Sequence, residues 1–340
     1  MTDSPRGLDL EALSAYLQRE APGLLKAELT GRILAGGKSN LTYEVGDGAT
    51  SVVVRRPPLG HVLSTAHDMV REHTVITALA PTDVPVPTTY AVCPDDSVIG
   101  APFYVMELVA GTPYRHAAQI APLGPERTRD IVHRLVDTLV ALHAVDPEEV
   151  GLGEFGRPHG FLERQVRRWR RQMDASASRE LPRAEELSDA LAAGVPGDGD
   201  VSVLHGDYRL DNLLVGESDQ VTAVLDWEMA TLGDPLSDVA LFVVYQRLSQ
   251  VTSGAGVSDV AAAPGYPDTD AMLARYTQAS GRDVSHIGWH LGLAYYKLAT
   301  ILEGIHYRYI QGQTVGSGFD NVGTAVGPLL DAGLAALREG

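Results

Sequence analysis

Two short apolar runs, each followed by acidic or amide side chains, constrain the fold of this chain more than any other feature. The first run precedes Asp207, and Asn212 follows five positions later. The second run ends at Asp226, after a polar turn. Short apolar runs bounded by turn residues are typical of buried strands. The sequence therefore predicts two strand ends that carry three oxygen-bearing side chains.

Carboxylate and amide oxygens in this order suit phosphoryl transfer. That reaction needs a carboxylate that accepts the proton of the attacking hydroxyl, and oxygen ligands for the Mg²⁺ on the nucleotide phosphates. The protein-kinase loop H-R-D-x-x-x-x-N, with a later metal-binding Asp, has the same spacing. Asp207 is thus the predicted proton acceptor, and Asn212 and Asp226 are the predicted magnesium ligands. His205 could act as a base, but the template favours a loop-shaping role for it.

Three short motifs follow one another along the chain and contain these side chains. They are His205-Gly206-Asp207-x4-Asn212, Leu225-Asp226-Trp227-Glu228 and Gly233-Asp234-Pro235-x2-Asp238. Together they resemble the aminoglycoside phosphotransferase and choline kinase-like family. Within that family, the segment 225–240 is most similar to the kinase-like domain associated with acyl-CoA dehydrogenase family members 10 and 11.

The resemblance implies an α+β, protein-kinase-like fold with two lobes. We expect a small mixed β-sheet N-lobe at 1–109 and a larger, mainly helical C-lobe at 110–340. Within the C-lobe we expect a helical insert at 115–200 and the catalytic loop and metal site at 203–238, followed by the C-terminal helices. The family also implies ATP and Mg²⁺ as cofactors and a small-molecule hydroxyl as acceptor.

A glycine-rich loop separates the first two predicted strands, 28–34 and 41–45. In a kinase-like N-lobe such a loop covers the nucleotide phosphates, because glycines let backbone N–H groups approach an anion. The resemblance places Gly37, Ser39 and Asn40 at the nucleotide on this ground. A plain hairpin turn is the alternative.

The third predicted strand, 51–56, supplies two further nucleotide contacts. Strand alternation puts Val53 and Arg55 on one face and Arg56 on the other. By resemblance Val53 contacts adenine, and Arg55 replaces the usual lysine at the phosphates and pairs with Glu72. Arg56 is the competing cation, and a solvated helix carboxylate is the alternative for Glu72.

Two further positions follow from the resemblance. The hinge between the lobes uses backbone groups of Glu107 and Val109 for adenine. Asp238 lies in the first turn of the helix predicted after Asp234 and Pro235, where it braces the catalytic loop. A carboxylate favoured there by the helix dipole is the alternative reading of Asp238, and both can hold together.

Composition limits the class of partner. The formal net charge of −17 argues against nucleic acid, which needs a clustered basic face. Cys93 is the only cysteine, which excludes an intramolecular disulfide and is compatible with a reducing cytoplasm. No run of 18 apolar residues and no apolar signal core occurs, so we expect neither a membrane span nor export.

One predicted helix, 162–173, is unusually basic for an acidic protein. Its apolar residues recur every three or four positions. Its other faces carry five arginines, namely Arg164, Arg167, Arg168, Arg170 and Arg171. Guanidinium groups bind phosphates bidentately, so Arg164, Arg167, Arg168 and Arg171 are candidate ligands of an acceptor's coenzyme A phosphates. The alternative is a solvated helix whose arginine stems cover apolar surface.

Three functions remain open at this stage. The favoured one is an ATP-dependent kinase acting on a hydroxyl, with a hydroxyacyl-CoA as acceptor and a functional link to an acyl-CoA dehydrogenase. The second is an aminoglycoside or macrolide phosphotransferase, and a polycationic aminoglycoside would suit the acidic net charge. The third is a non-catalytic nucleotide-binding pseudokinase, which the presence of Asp207, Asn212 and Asp226 disfavours.

Overall fold

A computed structural model of the protein describes residues 4–34, 40–59, 67–252, 258–313 and 319–339. The chain divides into two compact units: Met1–Gly111 with Thr222–Ala230, and Thr112–Val221 with Thr231–Gly340. The segment 222–230, which we expected in the second lobe, groups with the first unit because its side chains and carbonyls bond to residues there. The predicted lobe boundary at 109/110 stays a prediction.

The first unit is built on a five-stranded sheet. Its described helices and strands up to the end of that sheet are α1 (Leu10–Glu20), β1 (Thr30–Ile33), β2 (Leu41–Gly46), β3 (Ser51–Arg56), α2 (Met69–Leu79), β4 (Thr89–Cys93) and β5 (Phe103–Glu107). The strand order is β1-β2-β3-β5-β4, and every neighbouring pair is antiparallel. The described sheet is therefore antiparallel, where we expected a mixed one.

One face of this sheet forms the core of the first unit. Val52 and Val54 of β3 are fully buried there together with Leu13 of α1. Since side chains alternate along a strand, Val53 and Arg55 point to the other face. β3 spans the residues predicted for it, so the register of Arg55 follows the sequence pattern.

The turn between β2 and β3 shows how local chemistry sets that register. Asp47 Oδ1 accepts hydrogen bonds from the amides of Ala49 (3.0 Å) and Thr50 (2.8 Å), and Gly48 adopts a φ of 86°. A left-handed conformation favours glycine at that position. A hydrogen bond from the Lys26 amide, with those of Thr50 and Ala49, lowers the pKa of Asp47 below its ordinary value.

The second unit is mainly helical. The remaining described elements, in chain order, are α3 (Ala117–Ile120), α4 (Pro125–Ala144), α5 (Phe161–Ser176), α6 (Pro182–Ala193), β6 (Ser202–Leu204), β7 (Leu213–Val215), β8 (Val221–Val224), β9 (Thr231–Gly233), α7 (Leu236–Val251), α8 (Thr269–Ser280), α9 (Gly288–Ile310) and α10 (Val326–Glu339). β6 pairs antiparallel with β9. Most of β8 belongs to the first unit.

The helix ends follow from identifiable residues. Pro125 and Pro182 occupy the first positions of α4 and α6, where the missing N–H costs no hydrogen bond. Asp268 caps α8 by accepting from the amide of Ala271 at 2.8 Å. α9 is buried along most of its length. None of the helices in the described part of the chain combines the length and apolarity that crossing a membrane requires.

Candidate active site

Asp207 follows β6, and its carboxylate is oriented by three side chains of the second unit. The hydroxyl of Tyr245 donates to Oδ1 at 2.5 Å, and Nδ2 of Asn212 donates to Oδ2 at 3.0 Å. Arg209 Nε lies 3.3 Å from Oδ2. Nδ2 of Asn212 also donates to the backbone carbonyl of Asp207 at 2.9 Å. Charge-assisted contacts of this kind hold a carboxylate in one orientation.

Asp238, in the first turn of α7, accepts hydrogen bonds from the backbone of the loop that carries Asp207. The Asp238 carboxylate accepts from the amides of His205 (2.6 Å) and Gly206 (2.8 Å). His205 Nδ1 in turn accepts from the amide of Asp207 at 3.2 Å. Burial opposes the charge of Asp238, but His143, whose Nε2 lies 3.6 Å from Oδ2, and the neighbouring donors keep its pKa below the ordinary value. Both His205 and Asp238 thus contact the loop backbone, the position predicted for them.

Two residues of the second unit that sequence reasoning missed touch the same loop. One is Tyr245, seven positions after Asp238 and so two turns along the same face of α7. The other is Lys297 of α9, whose Nζ donates to the carbonyl of Gly206 at 2.7 Å. Burial lowers the pKa of Lys297. The helical period could have indicated Tyr245, whereas nothing local to Lys297 indicated its partner.

In the first unit, Arg55 stands between two carboxylates. Its Nε lies 2.9 Å from Glu72 Oε2, and its Nη2 pairs with Asp226. Tyr104, the cross-strand neighbour of Arg55 on β5, donates its hydroxyl to Glu72 at 3.0 Å. Burial opposes the charge of Arg55, yet the carboxylates of Glu72 and Asp226 raise its pKa above the ordinary value. The pair predicted between Arg55 and Glu72 is present.

Arg56 points away from this cluster. Its Nη1 donates to the carbonyl oxygens of Gly7 (2.5 Å) and Ile99 (3.3 Å), and its side chain is buried. Its guanidinium therefore ties loop backbones together in the first unit. Of the two arginines that the sequence left in competition, Arg55 is the one placed beside Glu72.

Asp226 has an unusual backbone. Its φ of 67° and ψ of 59° are left-handed, a conformation that costs a non-glycine residue about 1 kcal/mol or more. Asn40 Nδ2 lies near this segment, donating to Glu72 Oε1 at 3.0 Å and to Glu228 Oε2 at 3.2 Å. Asn40, predicted at the nucleotide, thus contacts the carboxylate that pairs with Arg55. Glu228 lies in one of the sequence motifs, but the sequence indicated no role for it.

The other residues predicted to contact the nucleotide are not hydrogen-bonded to Arg55 or Glu72 in the described part of the chain. Val53 lies on the same face of β3 as Arg55 and is buried. The amide of Glu107 donates to the carbonyl of Thr88 at 2.8 Å, so it is already used within the first unit. Val109 follows β5 and is half-buried. Gly37 and Ser39 lie outside the described residues.

The arginines of α5 differ in what they contact. Arg164 donates to two backbone carbonyls, those of Arg157 and His159. Arg167 pairs with Glu163 at 3.2 Å. The rest of the set is as follows: Arg170 pairs with Asp189 at 2.6 Å, Arg168 lies 5.2 Å from the ring centroid of Trp169, and Arg171 is exposed. The guanidinium of Arg164, which we predicted as a ligand of the acceptor's phosphates, is therefore already hydrogen-bonded to nearby backbone.

The antiparallel sheet unit, the helical unit and the braced Asp207 loop define a kinase-like phosphotransferase, an enzyme that transfers phosphate to a hydroxyl group. The chain belongs to the phosphotransferase enzyme family, whose family model matches residues 30–277. This confirms the family inferred from the motifs, the α+β kinase-like fold and the enzyme class.

Three known proteins illustrate the relationship. Acyl-CoA dehydrogenase family member 11 of Rattus norvegicus is 34% identical over 97% of this chain and 43% of its own length. The chain therefore spans less than half of that relative. A Ralstonia eutropha protein assigned as an aminoglycoside phosphotransferase is 31% identical, with a TM-score of 0.85 over 97% of this chain and 98% of its own.

A more distant structure shows the fold alone. It is aminoglycoside phosphotransferase APH(4)-Ia, solved as a ternary complex with AMP-PNP and hygromycin B. The identity is 16% and the TM-score is 0.60, over 97% of this chain and 98% of the other.

Proposed function

We propose that this protein is an ATP-dependent kinase that phosphorylates the hydroxyl group of an anionic small molecule, with a hydroxyacyl-CoA as the acceptor. The hydroxyl oxygen attacks the γ-phosphorus of ATP, and the bond from that phosphorus to the β,γ-bridging oxygen breaks. ADP leaves, and the hydroxyl proton passes to the Asp207 carboxylate. The products are a phosphate ester and ADP.

The observation that carries this proposal is the setting of Asp207. Its Oδ1 and Oδ2 each accept from a side chain, and Asp238 braces the preceding amides. A carboxylate held in this way can orient a hydroxyl and accept its proton without reorganising during the reaction. His205 supports the same loop through the amide of Asp207.

We assign the nucleotide to groups of the first unit. Arg55 binds the phosphates with its fixed charge, and Glu72 positions it. Asn40 supports Glu72 from the other side. Val53 contacts the adenine ring, whereas the backbone of Val109 and the carbonyl of Glu107 bind its polar edge. Gly37 and Ser39 keep the phosphate-covering role that the family pattern gives them.

Asn212 and Asp226 are the proposed magnesium ligands. Because Nδ2 of Asn212 donates twice to Asp207, its Oδ1 is the atom left for a cation. In the described residues, no group of three or more His, Cys, Asp or Glu side chains is arranged to hold a metal ion. One carboxylate and one amide fit Mg²⁺, whose remaining ligands are commonly water and phosphate oxygens. When bound, the ion neutralises charge on the transferred phosphoryl group.

Two observations support a hydroxyacyl-CoA as acceptor. A 34% identical relative is an acyl-CoA dehydrogenase family member, and that likeness supports the proposed link to acyl-CoA chemistry. The exposed arginines of α5, Arg167, Arg168 and Arg171, are suited to phosphate groups. Arg164 holds the loop before α5 by donating to the carbonyls of Arg157 and His159.

A second candidate acceptor is an aminoglycoside or macrolide. The Ralstonia eutropha structure assigned as an aminoglycoside phosphotransferase favours it. The net charge of −17 would also attract a polycation. Global charge governs encounter more than recognition, however, and the basic face of α5 would repel an aminoglycoside.

A screen of acceptors tests the proposal. ADP formation is measured with MgATP and three sets of compounds. They are hydroxyacyl-CoA thioesters, the same thioesters lacking the hydroxyl on the acyl chain, and a set of aminoglycosides and macrolides. We expect ADP and a phosphorylated product only with the hydroxylated thioesters. Turnover confined to the antibiotics would overturn the hydroxyacyl-CoA assignment and support the second candidate.

A further inference from the structure

Trp169 of α5 is approached by two cationic side chains from different helices. The ring is almost wholly buried, at 3% exposure. Arg168 Cζ lies 5.2 Å from the ring centroid, and Lys297 Nζ of α9 lies 5.6 Å from it. Both distances fall within the range of cation–π attraction. Two cations of the second unit therefore contact the same aromatic ring.

Neither cation is neutralised by an ion pair. In the described part of the chain, Arg167 pairs with Glu163 and Arg170 pairs with Asp189, but no carboxylate lies within ion-pair distance of Arg168 or Lys297. An unpaired cation is ordinary on a basic surface. Two unpaired cations on one ring are notable in a protein with a net charge of −17.

Lys297 also has hydrogen-bonding capacity to spare. Its ammonium carries three donors, and within the described residues one of them has an acceptor, the carbonyl of Gly206 at 2.7 Å. Burial lowers the pKa of Lys297, the charges of Asp207 and Asp238 oppose that shift, and Arg168 acts in the same direction as burial. A bound anion would supply the missing acceptors and offset the cost of burying the charge.

We propose that Arg168 and Lys297 form an oxyanion-binding subsite for the acceptor of the kinase reaction, arranged around Trp169. This inference rests on the proposed function, since it concerns the substrate of the same site. The contact of Lys297 with Gly206 places the subsite next to the proton acceptor, Asp207. An acceptor bound there carries a carboxylate or a phosphate in addition to the hydroxyl that becomes phosphorylated.

Two sources could supply that oxyanion, the carboxylate of a free hydroxy acid or a phosphate of coenzyme A. Both would be bound by the same guanidinium and ammonium groups. A neutral or cationic acceptor would gain nothing from the subsite and would meet two positive charges. The subsite therefore acts for specificity, selecting anionic hydroxyl compounds over aminoglycosides.

Calorimetric titration of the whole chain without ATP tests the subsite. The probes are free coenzyme A and 3-hydroxybutyrate, each titrated into the wild type, Arg168→Gln and Lys297→Met. Arg183→Gln is the matched control, because Arg183 is an exposed arginine of α6 that pairs with Glu186 and Asp331. We expect at least one probe to bind, and its Kd to rise about tenfold or more in both subsite variants. The control should match the wild type.

The pattern of losses identifies the source. Weakening limited to coenzyme A assigns a phosphate, and weakening limited to 3-hydroxybutyrate assigns a carboxylate. Unchanged binding in Arg168→Gln, or no binding of either probe to the wild type, would overturn the subsite. Among the described residues, Arg168 makes no hydrogen bond or ion pair with 203–212, so its variant remains informative even if Lys297→Met fails to fold.

Failure of the subsite is distinguishable from failure of the proposed function. ADP formation with hydroxyacyl-CoA thioesters is measured on the same wild-type preparation. Product formation with unchanged binding in the variants refutes the subsite alone. Probe binding that depends on Arg168, with no phosphorylation of any hydroxyl compound, refutes the kinase acceptor and leaves the anion site.

Discussion

The phenol of Tyr245 donates a hydrogen bond to Oδ1 of Asp207 at 2.5 Å, from a position two helical turns beyond Asp238. Helix α7 therefore contacts the Asp207 loop twice: Asp238 accepts from two backbone amides of the loop, and Tyr245 donates to the carboxylate of Asp207. One helix thus sets both the position of the loop backbone and the orientation of the Asp207 carboxylate.

Tyr245→Phe tests whether that hydrogen bond positions Asp207. A hydrogen bond to a charged group contributes about 1.5–3 kcal/mol, so we expect kcat to fall about tenfold or more while the KM for ATP stays unchanged. Steady-state kinetics on the acceptor identified by screening measure both constants. Tyr16→Phe is the control, since the Tyr16 hydroxyl bonds to the Val92 carbonyl within the first unit. Equal kcat in both variants would remove Tyr245 from this role.

The two adjacent arginines of β3 should behave differently on substitution. Arg55→Ala removes the cation beside Glu72 and Asp226, so we expect a large loss of turnover. Arg56→Ala removes donors to the carbonyls of Gly7 and Ile99, so we expect mainly a lower melting temperature. Turnover at saturating ATP and thermal unfolding separate the two effects. Equal turnover in the two variants would contradict the phosphate role of Arg55.

Asp226→Ala should weaken the binding of MgATP. The substitution removes the proposed metal carboxylate and leaves Arg55 in place, so affinity should lose its dependence on magnesium. Calorimetric titration with ATP, with and without Mg²⁺, measures this. Asp268→Asn provides a control, because asparagine caps a helix as well as aspartate does. A magnesium-dependent affinity that survives Asp226→Ala would move the metal site elsewhere.

How much of the site the sequence could predict depended on the range of the interactions. The period of two along β3 put Arg55 on the face of Val53, and the pattern of a helix start put Asp238 in a first turn, whereas the roles of both came from the family resemblance. Both are local signals. Tyr245 and Lys297 lie 38 and 91 positions from their loop partners, so only the packing of α7 and α9 brings them there.

For the basic helix α5, the sequence likewise predicted the element but not the contacts of its side chains. Its period predicted α5 and its exposed arginines. The pattern could not show that Arg164 is used by two backbone carbonyls, or that Arg168 shares Trp169 with a lysine of α9. The antiparallel order of the sheet likewise depends on strand pairing, which short apolar runs leave open.

Alkaline pH should destabilise the first unit through Tyr16. Burial, aided by the negative charge that Cys93 carries as a thiolate, raises the pKa of Tyr16 to about 12. A group with a raised folded-state pKa contributes stability that is complete below its unfolded pKa, about 10, and that is lost as pH rises toward 12. Denaturant unfolding between about pH 9 and pH 12 should show a steeper loss of stability for the wild type than for Tyr16→Phe. Parallel curves would contradict the assignment.

The catalytic role of Asp207 is tested most directly by Asp207→Asn in a single-turnover assay with MgATP and the acceptor. The amide preserves the shape of the side chain but cannot accept the hydroxyl proton. We predict that phosphoryl transfer falls about 10²- to 10⁴-fold while the Kd for MgATP stays within about twofold of the wild-type value. Near-normal transfer by Asp207→Asn would contradict the account.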